Sequence, residues 1–236
     1  MKRIIASLLP YSTNLSCTRL WDSFFNDLHN TAQWDVSIIL LRDKLYARNP
    51  ITILYSKDVN DELTLNLDSD SVKCFLRSSP LIKSDVKLFK YDKVLKEFIK
   101  KFLNSMGHES KFLVLWIAYD IEKVYEVLVK SIHKCLANKK PLLIALANLG
   151  YYSDYCEVKN VINSLLKMIE RLELDSNYEG IDKVVPFLDI QVVKALIKYL
   201  SSLGKAVKII AKDYIIEKLC LKKCLYVGYA YLLFSI

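Results

Sequence analysis

The sequence predicts an α/β protein of Rossmann-like type, with a mostly parallel sheet flanked by helices and an antiparallel strand insertion in the N-terminal half. Three observations predict it. First, the second half alternates apolar runs with amphipathic stretches. Its runs, such as Phe112-Leu113-Val114-Leu115-Trp116-Ile117, are continuous, as strands buried on both faces by helices must be. Second, Leu63, Leu65 and Leu67 alternate with Thr64, Asn66 and Asp68, the period-two pattern of an antiparallel strand with one wet face. Third, 53% of the 236 residues are hydrophobic. A chain of that size and composition can build a core without metals or disulfides.

In chain order, residues 4–9 read as a short buried strand followed by a polar stretch. Residues 18–29 read as a helix, because Leu20, Phe24 and Leu28 stand one turn apart. Segments 34–41, 51–55, 62–67 and 71–77 read as strands. Over 85–106 the period becomes helical, with Leu88, Leu95, Ile99 and Phe102 on one face and Gly107 as the stop. Beyond it, strands are expected at 111–118, 142–147, 184–188, 206–211 and 226–234. Helices are expected at 121–135, 155–172, 192–203 and 214–221. Residues 1–236 are read as one α/β domain, which divides if at all into a mixed part (1–110) and parallel βα repeats (111–236).

Glycine is the informative count. Five in 236 residues is roughly 2%, against about 7% in an average protein. Gly107, Gly150, Gly180, Gly204 and Gly228 are each isolated. Neither G-x-G-x-x-G nor the P-loop G-x-x-x-x-G-K-[ST] can be written from them, and no G-x-S-x-G nucleophile elbow occurs. Glycine-loop dehydrogenases, P-loop ATPases and α/β-hydrolases are thereby disfavoured. His29, His108 and His133 are the only histidines, and no H-E-x-x-H or C-x-x-C is present. No metal or other cofactor is implied.

The formal net charge is +8, spread over both halves without a basic tail. It permits a polyanionic partner without demanding one. Lys83, Lys87, Lys90 and Lys101 fall opposite the apolar face of the 85–106 segment, a stripe suited to phosphates or simply to water. The six cysteines follow no disulfide framework. Read as buried free thiols, they place the protein in the reducing cytoplasm. The apolar run 224–236 is too short for a membrane span. It is read as a buried strand, or as a docking tail through which the chain forms a homo-oligomer.

In open parallel sheets, ligands bind beyond the carboxyl ends of the strands. Residues expected there are Tyr11, Ser12, Thr13 and Asn14 after the first strand and Asp120 after 111–118. Asn148, Tyr151, Tyr152 and Ser153 follow 142–147, Asp189 follows 184–188, and Lys212 follows 206–211. Hydroxyls and amides at helix starts can hold phosphate oxygens without glycine, and tyrosines offer faces to bases. The same residue types are also ordinary helix N-caps. These positions point to a binding or regulatory module for a nucleotide or short nucleic acid. Two further classes stay open: an assembly protein without a small-molecule site, and a metal-dependent nuclease using Asp120, Asp154, Asp189 or Asp213.

The order of elements, with Ser12-Thr13-Asn14 after the first strand and Asn148 to Ser153 after a later central one, resembles that of the CARF domains. Those are the Rossmann-like sensors of CRISPR defence. The resemblance implies a cyclic oligoadenylate as ligand, held by these two loops.

Overall fold

The computed structural model describes residues 3–29, 31, 33–43, 49–55, 65–171, 189–204, 207–220 and 224–236. Its centre is four parallel strands in the order β5 (Phe112–Ile117), β2 (Val36–Arg42), β6 (Pro141–Ala147) and β1 (Ile4–Pro10). β2 pairs Ile39 with Val114 on one side and with Ile144 on the other, and β1 pairs Leu8 with Ala145. Their side chains alternate between two fully dry layers. Ile38, Leu40, Leu113, Leu115 and Leu143 face one, while Ile39, Val114, Trp116 and Ile144 face the other.

Helices fill both layers. On the first lie α2 (Ser69–Ser78), α5 (Glu122–Cys135), α6 (Tyr155–Arg171) and α7 (Ile190–Ser202). On the second lie α1 (Leu15–His29), α3 (Lys87–Tyr91) and α4 (Lys93–Met106), and α1 and α4 meet in an aromatic cluster. Trp21 packs edge-on against Phe98 at 5.2 Å, and Phe102 against Phe112 at 5.2 Å.

Both flanks of the parallel centre are antiparallel, so the sheet is mixed. On one side β3 (Ile51–Ile53) runs against β5, and β4 (Ile82–Ser84) runs parallel to β3. On the other, β9 (Cys224–Ser235) runs against β1, against the short β7 (Tyr151–Tyr152) and against β8 (Lys208–Cys220). The parallel βα repeat expected through 236 therefore ends at α7, and a long hairpin follows. The helix expected over 214–221 is a continuation of β8. Ile215 packs on one layer and Ile216 on the other, so apolar residues on both faces mimicked a helical stripe.

Two other expectations change. Segment 71–77 is helix, because Val72 and Phe75 are buried at a spacing of three with Ser71 beside them. The 85–106 segment is two helices broken at Asp92, whose carboxylate accepts the Leu95 N–H at 2.9 Å and caps α4. The strand expected at 184–188 lies outside the described residues, as does the first half of 62–67. Leu67 makes a single parallel bridge to Phe112.

Cys74 and Cys135 form a disulfide joining α2 to α5, their Cα atoms 5.6 Å apart, and Cys220 is also disulfide-bonded. Free thiols are thus the wrong description for these three, and they lend no support to a reducing compartment. Cys17, buried, and Cys156, exposed, are free. Among the described residues no helix is long and apolar enough to cross a membrane.

β9 uses both of its edges, one for β1 and β7 and the other for β8. The C-terminal run is therefore interior to the sheet and cannot add a strand from a partner. The outermost strand on that flank is β8, whose Lys212, Asp213 and Lys218 are exposed. Charges on a long outer strand discourage edge-to-edge pairing.

Candidate functional site

The carboxyl ends of the four parallel strands share one edge of the sheet. β1 leads into α1 on one layer, while β6 leads on to α6 on the other. The crevice between β1 and β6 is thus a point where the connections part, the place where open sheets hold ligands.

Three of the expected residues meet here. The Tyr11 backbone N–H donates to the Ala147 carbonyl at 3.4 Å. One residue on, the Asn148 N–H donates to Asp189 Oδ2 at 2.8 Å. Asp189, 1% exposed, begins α7 by accepting the Val192 and Val193 N–H groups on its carbonyl, which leaves its carboxylate facing Asn148. Arg42, at the end of β2, stands 3.6 Å from Asp189 Oδ1 and keeps 30% of its side chain exposed. The Tyr11 hydroxyl donates to Asp92 at 2.5 Å. Burial first, then the Asp92 and Asp189 charges, hold that phenol far above its ordinary range. Asn148 is itself buried, and its Oδ1 has no hydrogen-bond partner among the described residues. Arg42 and Asp92 went unnoticed as site residues in the sequence, since one ends an apolar strand and the other sat inside an apparent helix.

The other expected residues serve other ends. Asn14 N-caps α1, its Oδ1 accepting the Cys17 N–H at 2.8 Å, while its amide donates to Tyr229 Oη at 3.2 Å and to Glu217. Ser12 Oγ accepts the Asn14 N–H at 3.4 Å, and Thr13 is exposed. Beneath them the buried Cys17 thiol is pushed up to about 12, chiefly by desolvation. Tyr152 is buried, donates to the Leu149 carbonyl at 2.9 Å, and is raised by burial to about 12. Tyr151 pairs through its backbone with Val227, and Ser153 is exposed.

The aspartates proposed for a metal lie apart. Asp120 accepts from Lys194 Nζ at 2.9 Å and from the Tyr125 hydroxyl, which clasps the β5 end to α7. Asp154 caps α6 by accepting the Glu157 N–H at 3.3 Å. Asp213 lies within β8, not at a strand end, and the same correction applies to Lys212. No group of three or more metal-ligating side chains occurs among the described residues. The lysine stripe is also divided. Lys83 belongs to β4, Lys87 and Lys90 to α3, and Lys101 to α4, where it pairs with Asp22 at 2.6 Å.

No protein-family model matches the chain, and no curated protein does. Among solved structures it is similar to the uncharacterized protein JW3007 from Escherichia coli K12, with a TM-score of 0.54 and 10% identity over 97% of this chain and 99% of that one. At that identity the likeness concerns the fold alone, an α/β mixed sheet flanked by helices.

Proposed function

We propose that the protein is a Rossmann-like binding module that takes a nucleotide in the crevice between β1 and β6. The observation that carries this is Asn148. A buried amide oxygen left without a donor costs about 1–3 kcal/mol, and the exocyclic amine of a base is a donor of the right kind. Arg42 supplies a guanidinium at the same edge, on a side chain 30% exposed, suited to a phosphate. No glycine loop is involved, in keeping with the composition.

Isothermal titration against mono-, oligo- and cyclic nucleotides tests the proposal, with the cyclic oligoadenylates implied by the CARF resemblance among them. One class should bind, and Asn148→Ala and Arg42→Ala should each weaken it tenfold or more. Silence across the panel would refute nucleotide binding. Binding that ignores both substitutions would refute the site.

A further inference from the structure

We propose that the face of the β8–β9 hairpin beside α6 is a docking surface for single-stranded nucleic acid. The proposal is independent of the crevice, for it rests on how β8 sorts its side chains. Ile210 is an extra residue in the ladder, since Ile209 pairs with Phe234 and Ala211 already with Leu233. Beyond that bulge the strand alternates regularly. Ile216 joins the α6-side core and Ile215 the opposite one. Lys212, Tyr214 and Lys218 therefore share the α6 side with Ile216, while Asp213 and Glu217 turn away. Glu217 reaches Asn14 under α1, which confirms the assignment from the acidic side. The stretch Lys-Asp-Tyr-Ile-Ile-Glu-Lys, nearly neutral in sequence, thus becomes one basic, aromatic face and one acidic face.

The rings on the basic face are placed for stacking. Lys218 pairs across the ladder with Tyr226 and holds its ammonium 5.9 Å from that ring. Tyr155, at the start of α6, meets Tyr226 edge-on at 5.8 Å. Tyr155 is 45% exposed and Tyr214 39%, so both rings are open to a ligand. At the far end of β8 a groove of about 530 Å³ is lined by Ile169, Lys208, Ile209, Lys212 and Phe234. From Lys212 to Lys218 the strand spans about 20 Å. Exposed rings interleaved with lysines along such a track bind the two things a single strand offers together, open base faces and a phosphate backbone. A duplex conceals its base faces, and an acidic peptide has no use for the rings.

The test is fluorescence anisotropy of labelled 15-mers of oligo-U, oligo-A and oligo-dT at several salt concentrations, with an unlabelled duplex as competitor. Wild type should bind one or more of them, and log K should fall with log salt by about 0.7 per phosphate contact. Tyr214→Ala should weaken binding roughly 5- to 150-fold, the range for loss of one stacked base. Lys218→Glu should weaken binding and flatten the salt slope. Both residues are exposed, so unchanged melting curves will show that the fold survives. Absence of salt-dependent binding by wild type overturns the proposal. Indifference to both substitutions does so too, as does a duplex that competes as well as a single strand. The crevice is read by mononucleotide calorimetry with Arg42 and Asn148, so either proposal can fail alone.

Discussion

Replacing Cys74 and Cys135 together with serine removes the covalent tie between α2 and α5 and leaves both helices otherwise intact. The bond joins residues 61 apart in sequence. In the chain-entropy account, a closed loop of that length removes about 14 cal/mol/K from the unfolded ensemble, or about 4 kcal/mol at 25 °C. Unfolding 236 residues carries an entropy of about 0.5 kcal/mol/K, so the melting temperature should fall by about 8 °C. The double variant is a cleaner perturbation than a reductant, because Cys220 is also disulfide-bonded. Both cysteines are only partly buried, so a serine hydroxyl can reach water and adds little cost of its own. Calorimetric melting and urea titration of the oxidised wild type and the double variant provide the assay. A shift below about 2 °C would refute the reasoning. It would mean that the unfolded chain is already held compact between α2 and α5, or that the bond does not form.

Gly228→Ala should destabilise by about 1–3 kcal/mol through overpacking, because a Cβ there would lie 2.8 Å from Ile162 Cδ1 and 3.0 Å from Val158 Cγ1. Urea midpoints should show a smaller cost in an Ile162→Val background, and equal costs would exclude the clash. Burial tends to raise the Asp68 carboxyl, but the hydrogen bonds from Lys139 and Ser71 hold it below its usual value of 3.8. Its contribution is therefore complete above that value and lost as pH falls through the lower folded one. Asp68→Asn should flatten the acid limb of stability, and an unaltered limb would count against the pairing. Burial raises Tyr152 and Tyr199 from 10.0 to about 12. The stability linked to their neutral forms is whole below pH 10 and lost as pH climbs toward 12, and absorbance at 295 nm should show both titrating late. Iodoacetamide on native protein at pH 8.5 should label exposed Cys156 and spare Cys17, whose buried thiol is shifted to about 12. Comparable labelling by peptide mapping would contradict that burial.

The strands of the parallel centre were legible as strands because they are apolar runs interrupted by little more than Ser7 and Ser37, but that two of them, β1 and β2, come from the first half was not. The flanks were harder. In β8, Ile215 and Ile216 each serve a different layer, and with Leu219 they imitate a helical stripe. Within α2, the seven residues 71–77 read as a strand are too few to separate a period of two from one of 3.6. Asp92 was hidden because its role joins two distant parts of the chain. It caps α4 and takes the Tyr11 hydroxyl from 81 residues away, and no local pattern announces a contact of that range.

The candidate site divides along the same line. Capping accounts for Asp154, as its place before the expected 155–172 helix foretold, and for Asn14, because α1 starts at Leu15, three residues earlier than expected. Asp189 departs from it in an informative way. It starts α7 with its backbone, yet its carboxylate serves the Asn148 N–H and faces Arg42 instead of the helix. A carboxylate used purely as a cap would close the turn it begins. One withdrawn from its own helix, to tie the ends of β6 and β2 together, organises the strand edge. Glycine scarcity acquires its physical meaning there. Where a glycine loop would bring backbone N–H groups to a ligand, this chain spends the Asn148 N–H on Asp189, and the Asn148 side-chain oxygen meets no donor among the described residues. If the proposed ligand enters the crevice, side chains would have to recognise it, and a single substitution at Asn148 or Arg42 is a fair test of that proposal.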